Sequence, residues 1–155
     1  MNELLNKDSS VEVFDQSNHN GLIEKLEDGL FACEQPECPV RNLFAPDVYM
    51  REITMPADSV IIGHEHKTEH FNIVLKGKAR VVQDDKVEYI EAPCIFVSKA
   101  GVRKVLYIEE EMVWATVHPT KETDLEKIEK ETICKSDTWL ANTKELNNIR
   151  NKELL

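Results

Sequence analysis

The chain has 155 residues, 41% of them hydrophobic and 31% charged, with a formal net charge of −10 at pH 7. That length suits one domain around one core. The acidic balance argues against a nucleic-acid polymer as the main partner, since a phosphate backbone calls for clustered Lys and Arg, and no apolar run approaches the roughly 20 residues of a membrane-spanning helix.

Residues 1 to 20 are rich in Asn, Asp and Ser without a sustained period and are expected to form an arm. Met1 to Phe14 lacks the basic start and apolar stretch of a secretory leader, so the expected compartment is the cytoplasm. Leu22, Ile23, Leu26 and Leu30 stand at helical spacing and predict a short helix over Gly21 to Leu30. Pro36, Pro39 and Pro46 then punctuate a loop-rich approach to a region of strands. Cys33, Cys38, Cys94 and Cys134 include no close CxxC pair. In a reducing cytosol they read as free thiols, with Cys33 and Cys38 as half of a metal site the alternative.

From Val48 to Val117 the pattern changes to short β-branched and aromatic runs. These are Val48–Met55, Ser59–Ile62, Phe71–Leu75, Ala79–Gln83, Val87–Ile90, Cys94–Val97, Val102–Ile108 and Met112–Val117. Pro56-Ala57-Asp58, Lys76-Gly77-Lys78, Asp84-Asp85, Ala92-Pro93 and Lys99-Ala100-Gly101 break them. Such spacing predicts a mainly β sandwich or closed barrel, and no helical segment intervenes to make βαβ units. After Pro119 the period returns to helix. Thr123 with Glu126 reads as a capping box ahead of Leu125, Ile128 and Ile133. Asp137 or Ser136 caps a second helix carrying Trp139, Leu140, Leu146 and Ile149. The expected organisation is an arm and short helix over 1–40, a barrel over 41–119, and a helical segment over 120–155 that packs on the barrel or on a partner.

Three histidines fall within seven residues: His64-Glu65-His66-Lys67-Thr68-Glu69-His70. Alternation along a strand points His64 and His66 to one face. A turn after Lys67 would let His70 open the next strand and meet them across an antiparallel pair. Three converging imidazoles suit Zn, Fe, Ni, Cu or Mn with coordination positions left open. The same three residues could instead be exposed polar groups on an edge strand, as their charged neighbours Glu65, Lys67 and Glu69 allow.

The segment resembles the first motif of the cupin family, which runs glycine, five residues, HxH, three or four residues, glutamate, six residues, glycine. His64 and His66 are the HxH and Gly77 the closing glycine, while His70 stands where the family has glutamate and Asp58 where it has the opening glycine. Pro56 matches a proline that cupins often carry before the motif. Of the second motif only Gly101 fits: Pro93 stands at the first glycine, Lys99 at the proline and Lys104 at the family's last histidine ligand. The resemblance covers Arg41 to His118 and implies a cupin-type double-stranded β-helix, a jelly-roll barrel. The chain also looks like the short cupin-like proteins encoded by tailed phages, with Phe44-Ala45-Pro46 before the first long strand and Thr116-Val117-His118 closing the last.

A protonated lysine at 104 cannot ligate a metal, which leaves His118 as the remaining histidine able to complete a set with His64, His66 and His70. Trp114, Thr116 and His118 share a strand face, as do His70 and Asn72. Arg51, Arg80, Arg103 and Lys104 would make a focused positive pocket if they face inward, or a solvated exterior if they do not. Tyr49, Tyr107 and Trp114 are candidate aromatic walls or plain core aromatics. There is no GxSxG, Gly-rich phosphate loop or HExxH, and Glu69 should point away from His70.

Three functions remain open to such a chain. One is a small-ligand binder whose cavity, lined by Tyr49, Arg51, Asn72, Arg103, Lys104, Trp114 and His118, takes a small anion, nucleotide-like or an organic acid, or a metal ion. The second is a metal-dependent dioxygenase, isomerase or epimerase with a divalent transition metal on His64, His66 and His70. The third is a homo-oligomeric scaffold with the C-terminal helices at the interface.

Overall fold

In a computed structural model the chain is described over residues 16–153, so the arm expected over the first fifteen residues lies outside the described part. The elements are α1 (Gln16–Phe31), β1 (Val40–Ala45), β2 (Val48–Met55), β3 (Ser59–Ile62), β4 (Glu65–His66), β5 (His70–Gln83), β6 (Lys86–Glu91), β7 (Cys94–Ser98), β8 (Val105–Pro119), α2 (Leu125–Thr132), β9 (Ile133–Cys134) and α3 (Asp137–Glu153).

Two long strands organise the barrel. β5 and β8 pair antiparallel along their lengths, with register shifts between Val74 and Ala79. Bulges of this kind bend a strand and raise its twist, so each long strand serves two half-sheets. In the first half, β2 pairs with Met112–Pro119 of β8 and β7 with the start of β5, with β1 outside β2. In the second, β3 pairs with Val105–Ile108 of β8 and β6 with Lys78–Gln83 of β5. Between the halves lies one core. Val74, Met112 and Trp114 come from the first half, and Ala79, Val81, Ile90, Leu106 and Ile108 from the second, with Met55 beside them. This is the mainly β double-stranded β-helix expected of the sequence.

Three local expectations change. Lys76-Gly77-Lys78 is not a turn but a bulge inside one continuous strand, so two of the eight runs fuse into β5. Gly77 has φ +88°, and a Cβ there would collide with the carbonyl oxygen of Glu111, so glycine lets the backbone kink without reversing. Likewise Val102–Ile108 and Met112–Val117 merge into the single strand β8. Val40–Ala45, expected as loop, forms β1 because Pro39 and Pro46 flank the strand rather than interrupt it. The true reversal lies at Asp84-Asp85, both with positive φ, which suits a two-residue hairpin turn.

At the C-terminal end, Asp124 rather than Thr123 caps α2. Its carboxylate accepts from the amides of Glu126 and Lys127 at 3.0 and 3.2 Å, as suits one of the strongest N-cap residues. Ser136 caps α3 by accepting from the Trp139 amide at 3.0 Å. The side chains of Leu146 and Ile149 are outside the described part. α1 starts earlier than expected and packs against α3. It turns Ile23 and Glu27 inward, leaving Leu22 and Leu26 largely exposed. Among the described residues no helix is long and apolar enough to cross a membrane.

Candidate metal centre

Three imidazoles meet inside the barrel: His66 from β4, His70 at the start of β5 and His118 near the end of β8. One possible ligand atom from each lies within 4.8 Å of the other two. Their ring centroids are 4.0 Å apart for His66–His70, 4.9 Å for His70–His118 and 5.3 Å for His66–His118. His70 and His118 are buried and His66 is partly so.

Each ring is placed by a different element. His66 lies in the two-residue ladder β4–β9, opposite Ile133, and its carbonyl accepts from the Gly101 amide at 2.9 Å. The glycine of the weak second motif thus fixes the first ligand's backbone. The Nδ1–H of His70 donates to the Thr68 carbonyl at 3.1 Å, which leaves its Nε2 lone pair for the site. His118 pairs with Tyr49 across the β2–β8 ladder and stacks on that ring at 6.3 Å.

Burial pulls every one of these rings below the ordinary histidine value. His66 falls to about 3, through burial first and then the neighbouring His70, His118, Lys104 and His64. His118 falls to about 4, through burial and then His70 and Arg51. His70 is lowered by burial, with the Thr68 hydrogen bond opposing. All three are therefore neutral near pH 7 and offer lone pairs. The Nδ1 atoms of His66 and His118, like that of His64, are buried without a hydrogen-bond partner. Buried polar nitrogens rarely stay unsatisfied in a folded protein, and an ion is one of the ordinary explanations. The donor set fits a transition metal, and these three residues could hold one.

The structure does not bring His64 into this trio. The Gly63-His64 backbone is not part of a strand, so the period of two that would align it with His66 fails there. The Gly63 carbonyl instead accepts from Arg103 Nε at 2.9 Å. The His64 ring meets the Trp139 indole edge-on at 5.2 Å, although it still lines the cavity. His118, weighed from the sequence as an additional ligand, stands in the third place.

Beside the trio is a cavity of about 130 Å³. Arg51, Asn72, Lys104, Trp114 and Thr116 line it, together with Ile53, Met55, Ile61, Val102 and Leu106. A buried chain of hydrogen bonds orders one wall. Trp114 Nε1 donates to Asn72 Oδ1 at 3.0 Å, Asn72 Nδ2 donates to Ser98 Oγ at 2.9 Å, and Lys104 Nζ donates to the same Oγ at 2.6 Å. Burial lowers the Lys104 ammonium from its usual value, with Asp84 and Glu88 opposing.

Other residues singled out in the sequence go elsewhere. Arg103 forms a buried ion pair with Glu27 of α1 and does not line the cavity. Tyr49 donates to Asn42 Oδ1 at 2.6 Å and backs His118 rather than lining the cavity. Tyr107 and Arg80 stack on each other at 5.1 Å on the outside, where Tyr107 donates to Asp58. The four cysteines are free. Sequence reasoning missed the contacts of Glu27, Ser136 and Trp139, which meet Arg103, Glu27 and His64 respectively. Ser136 donates to Glu27 Oε2 at 2.6 Å. No local pattern could reveal pairs so far apart in the chain.

No protein-family model matches the chain, and no curated protein does either. Among solved structures it is similar to KdgF from Halomonas sp., at 11% identity over 60% of this chain and 89% of that one, with a TM-score of 0.49. It is similar to a cupin superfamily protein from Desulfitobacterium hafniense, at 12% identity over 60% and 86%, with a TM-score of 0.48. It is also similar to the Cnp3 cupin domain of Schizosaccharomyces pombe, at 17% identity over 62% and 72%, with a TM-score of 0.47.

Proposed function

We propose that this barrel is a metal-dependent binding protein. It holds a divalent transition metal (Zn, Fe, Ni or Mn) on His66, His70 and His118, and a small anionic molecule in the adjoining cavity. The observation that carries the reading is the convergence of three neutral imidazoles, His66, His70 and His118, each with a possible ligand atom within 4.8 Å of the other two. The set of His64, His66 and His70 expected from the sequence becomes His66, His70 and His118, with His64 at the cavity wall.

Three protein ligands leave coordination positions open, the arrangement used by catalytic rather than structural metal sites. That favours, as a second reading, an enzyme of the dioxygenase, isomerase or epimerase type. When bound, such a metal supplies Lewis acidity to a ligand or water in the open positions. This chain's residues would orient the ligand through Arg51 and Lys104 and exclude water with Trp114, Leu106 and Met55. No Asp or Glu lines the cavity, so a reaction there would draw its proton acceptor from the histidines or Lys104.

Elemental analysis of protein purified without a histidine tag tests the metal. We expect one ion per chain, lost in His66→Ala and in His118→Ala and retained in His64→Ala. Substoichiometric metal that neither substitution changes would overturn the reading.

A further inference from the structure

The cavity beside the trio has a charge pattern that narrows its ligand. On a chain of net charge −10, it is lined by two cations, Arg51 and Lys104, and by no carboxylate. The Lys104 ammonium is held by Ser98. Arg51 is different. It rises from β2 between Tyr49 and Ile53, is half-buried, and its guanidinium makes no hydrogen bond or ion pair with any described residue. A guanidinium removed from bulk water normally finds a bidentate acceptor, and a carboxylate matches its fork.

Volume selects the size. About 130 Å³ is well below the roughly 300–1,000 Å³ of sites for drug-sized ligands, so the cavity would not enclose a nucleotide. It suits a molecule of about four to seven non-hydrogen atoms, taking roughly 30 Å³ for a water in the liquid. The remaining wall, Ile53, Met55, Ile61, Val102, Leu106 and Trp114, is apolar or aromatic and would face a short hydrocarbon part.

We infer that the cavity binds a small organic acid of two to four carbons, its carboxylate on Arg51 and its far end toward Lys104 and the histidine trio. This rests on the reading of the cavity as the binding site, and it replaces the nucleotide-like option with the organic acid.

Thermal melting of the full chain tests it, with acetate, pyruvate, lactate and malonate against lactamide, inorganic phosphate and AMP. At least one acid should raise Tm in a concentration-dependent way, and lactamide and AMP should not. Arg51→Gln should weaken the acid at least about tenfold, as expected for losing a charge-assisted pair, while leaving metal content unchanged. Equal stabilisation by lactate and lactamide, or no effect of Arg51→Gln, would overturn the inference. Should that variant not fold, the acid–amide comparison on the native chain decides alone. Repeating the melts with chelator separates the two readings. Acid binding by a chain whose elemental analysis finds no metal before chelation sinks the metal centre and keeps this inference. Full metal loading with no response to any acid does the reverse.

Discussion

The backbone amide of Lys67 donates to the carbonyl of Thr132 at 2.8 Å, and the Lys67 ammonium reaches the neighbouring Lys130 carbonyl at 2.7 Å. These bonds tie the end of α2 to the residue after His66. The C-terminal helical segment is therefore part of what aims a candidate metal ligand. Outer supports of this kind tune metal affinity by about ten- to a hundredfold. Lys67→Pro removes the amide donor and the ammonium together, while His66 keeps the extended conformation that precedes a proline. Its metal affinity, read by competition with a chromophoric chelator, should fall by about tenfold or more, with the barrel's circular dichroism unchanged. Native affinity in that variant would mean that β9 only fastens the segment.

Glu27 and Arg103 form the second tie. Their side chains are 6% and 10% exposed, and Glu27 also accepts from Ser136. Removing one partner strands the other charge away from water, at a cost of roughly 3–5 kcal/mol. Glu27→Ala should therefore lower the unfolding free energy by about that amount, read from urea denaturation. Replacing the pair by Glu27→Leu with Arg103→Met should cost clearly less than the single change. A loss below about 1 kcal/mol in Glu27→Ala, the range of exposed pairs, would show that water reaches the guanidinium.

Why some of this was legible in the sequence, and some not, comes down to range. β2 and β3 match their expected bounds because period-two patterning and the turn at Pro56-Ala57-Asp58 are local. Their ends need no partner to be read. The fusion of two runs into β5 was hidden because a glycine between lysines looks the same whether the chain reverses or kinks. Only the ladder to β8 distinguishes the two. His66 and His70 were legible from motif spacing, whereas the departure of His64 depends on Arg103 and Trp139, which no local pattern connects to it. His118 was visible only by elimination, once Lys104 had taken a position that cannot ligate.

The depressed histidines make the metal-free protein acid-sensitive. In the unfolded chain these rings titrate near 6.5, while in the folded chain His66 falls to about 3 and His118 to about 4. Between those values the unfolded state binds more protons, so stability rises with pH there and drains as pH falls below 6.5. Above 6.5 both states are neutral at these sites and the contribution is flat. Each tenfold loss of proton affinity on folding is worth at most about 1.4 kcal/mol per ring, less for His66 because it is partly exposed. Urea midpoints in chelator should drop steadily from about pH 6.5 to about pH 4.5. The double variant His66→Asn with His118→Gln should show a shallower slope. Parallel slopes would assign the acid sensitivity to carboxylates instead.

The outer face of the first half-sheet points to self-association. Ile95 is 70% exposed, Phe71 56%, Leu75 55% and Val97 52%. The ladder sets Phe71 opposite Val97 and Ile73 opposite Ile95, with Val117 and Ala115 on the next strand. Four side chains there expose on the order of 400 Å² of apolar surface, about half of the roughly 800 Å² per partner in a standard interface. Within the chain α3 packs on α1 and α2 on β9. A second copy is the occupant expected, because these four side chains carry no charge and Glu52, which lies on the same face opposite Ala115, is neutralised by Arg41 at 2.8 Å, so the patch can meet itself across a two-fold axis despite the net charge of −10. Light scattering should give about twice the 17.8 kDa of the chain, and Ile95→Lys should give a monomer with its metal content intact, since that side chain points away from the histidines. A monomeric native chain, or a dimer indifferent to a lysine at this position, would place the contact elsewhere.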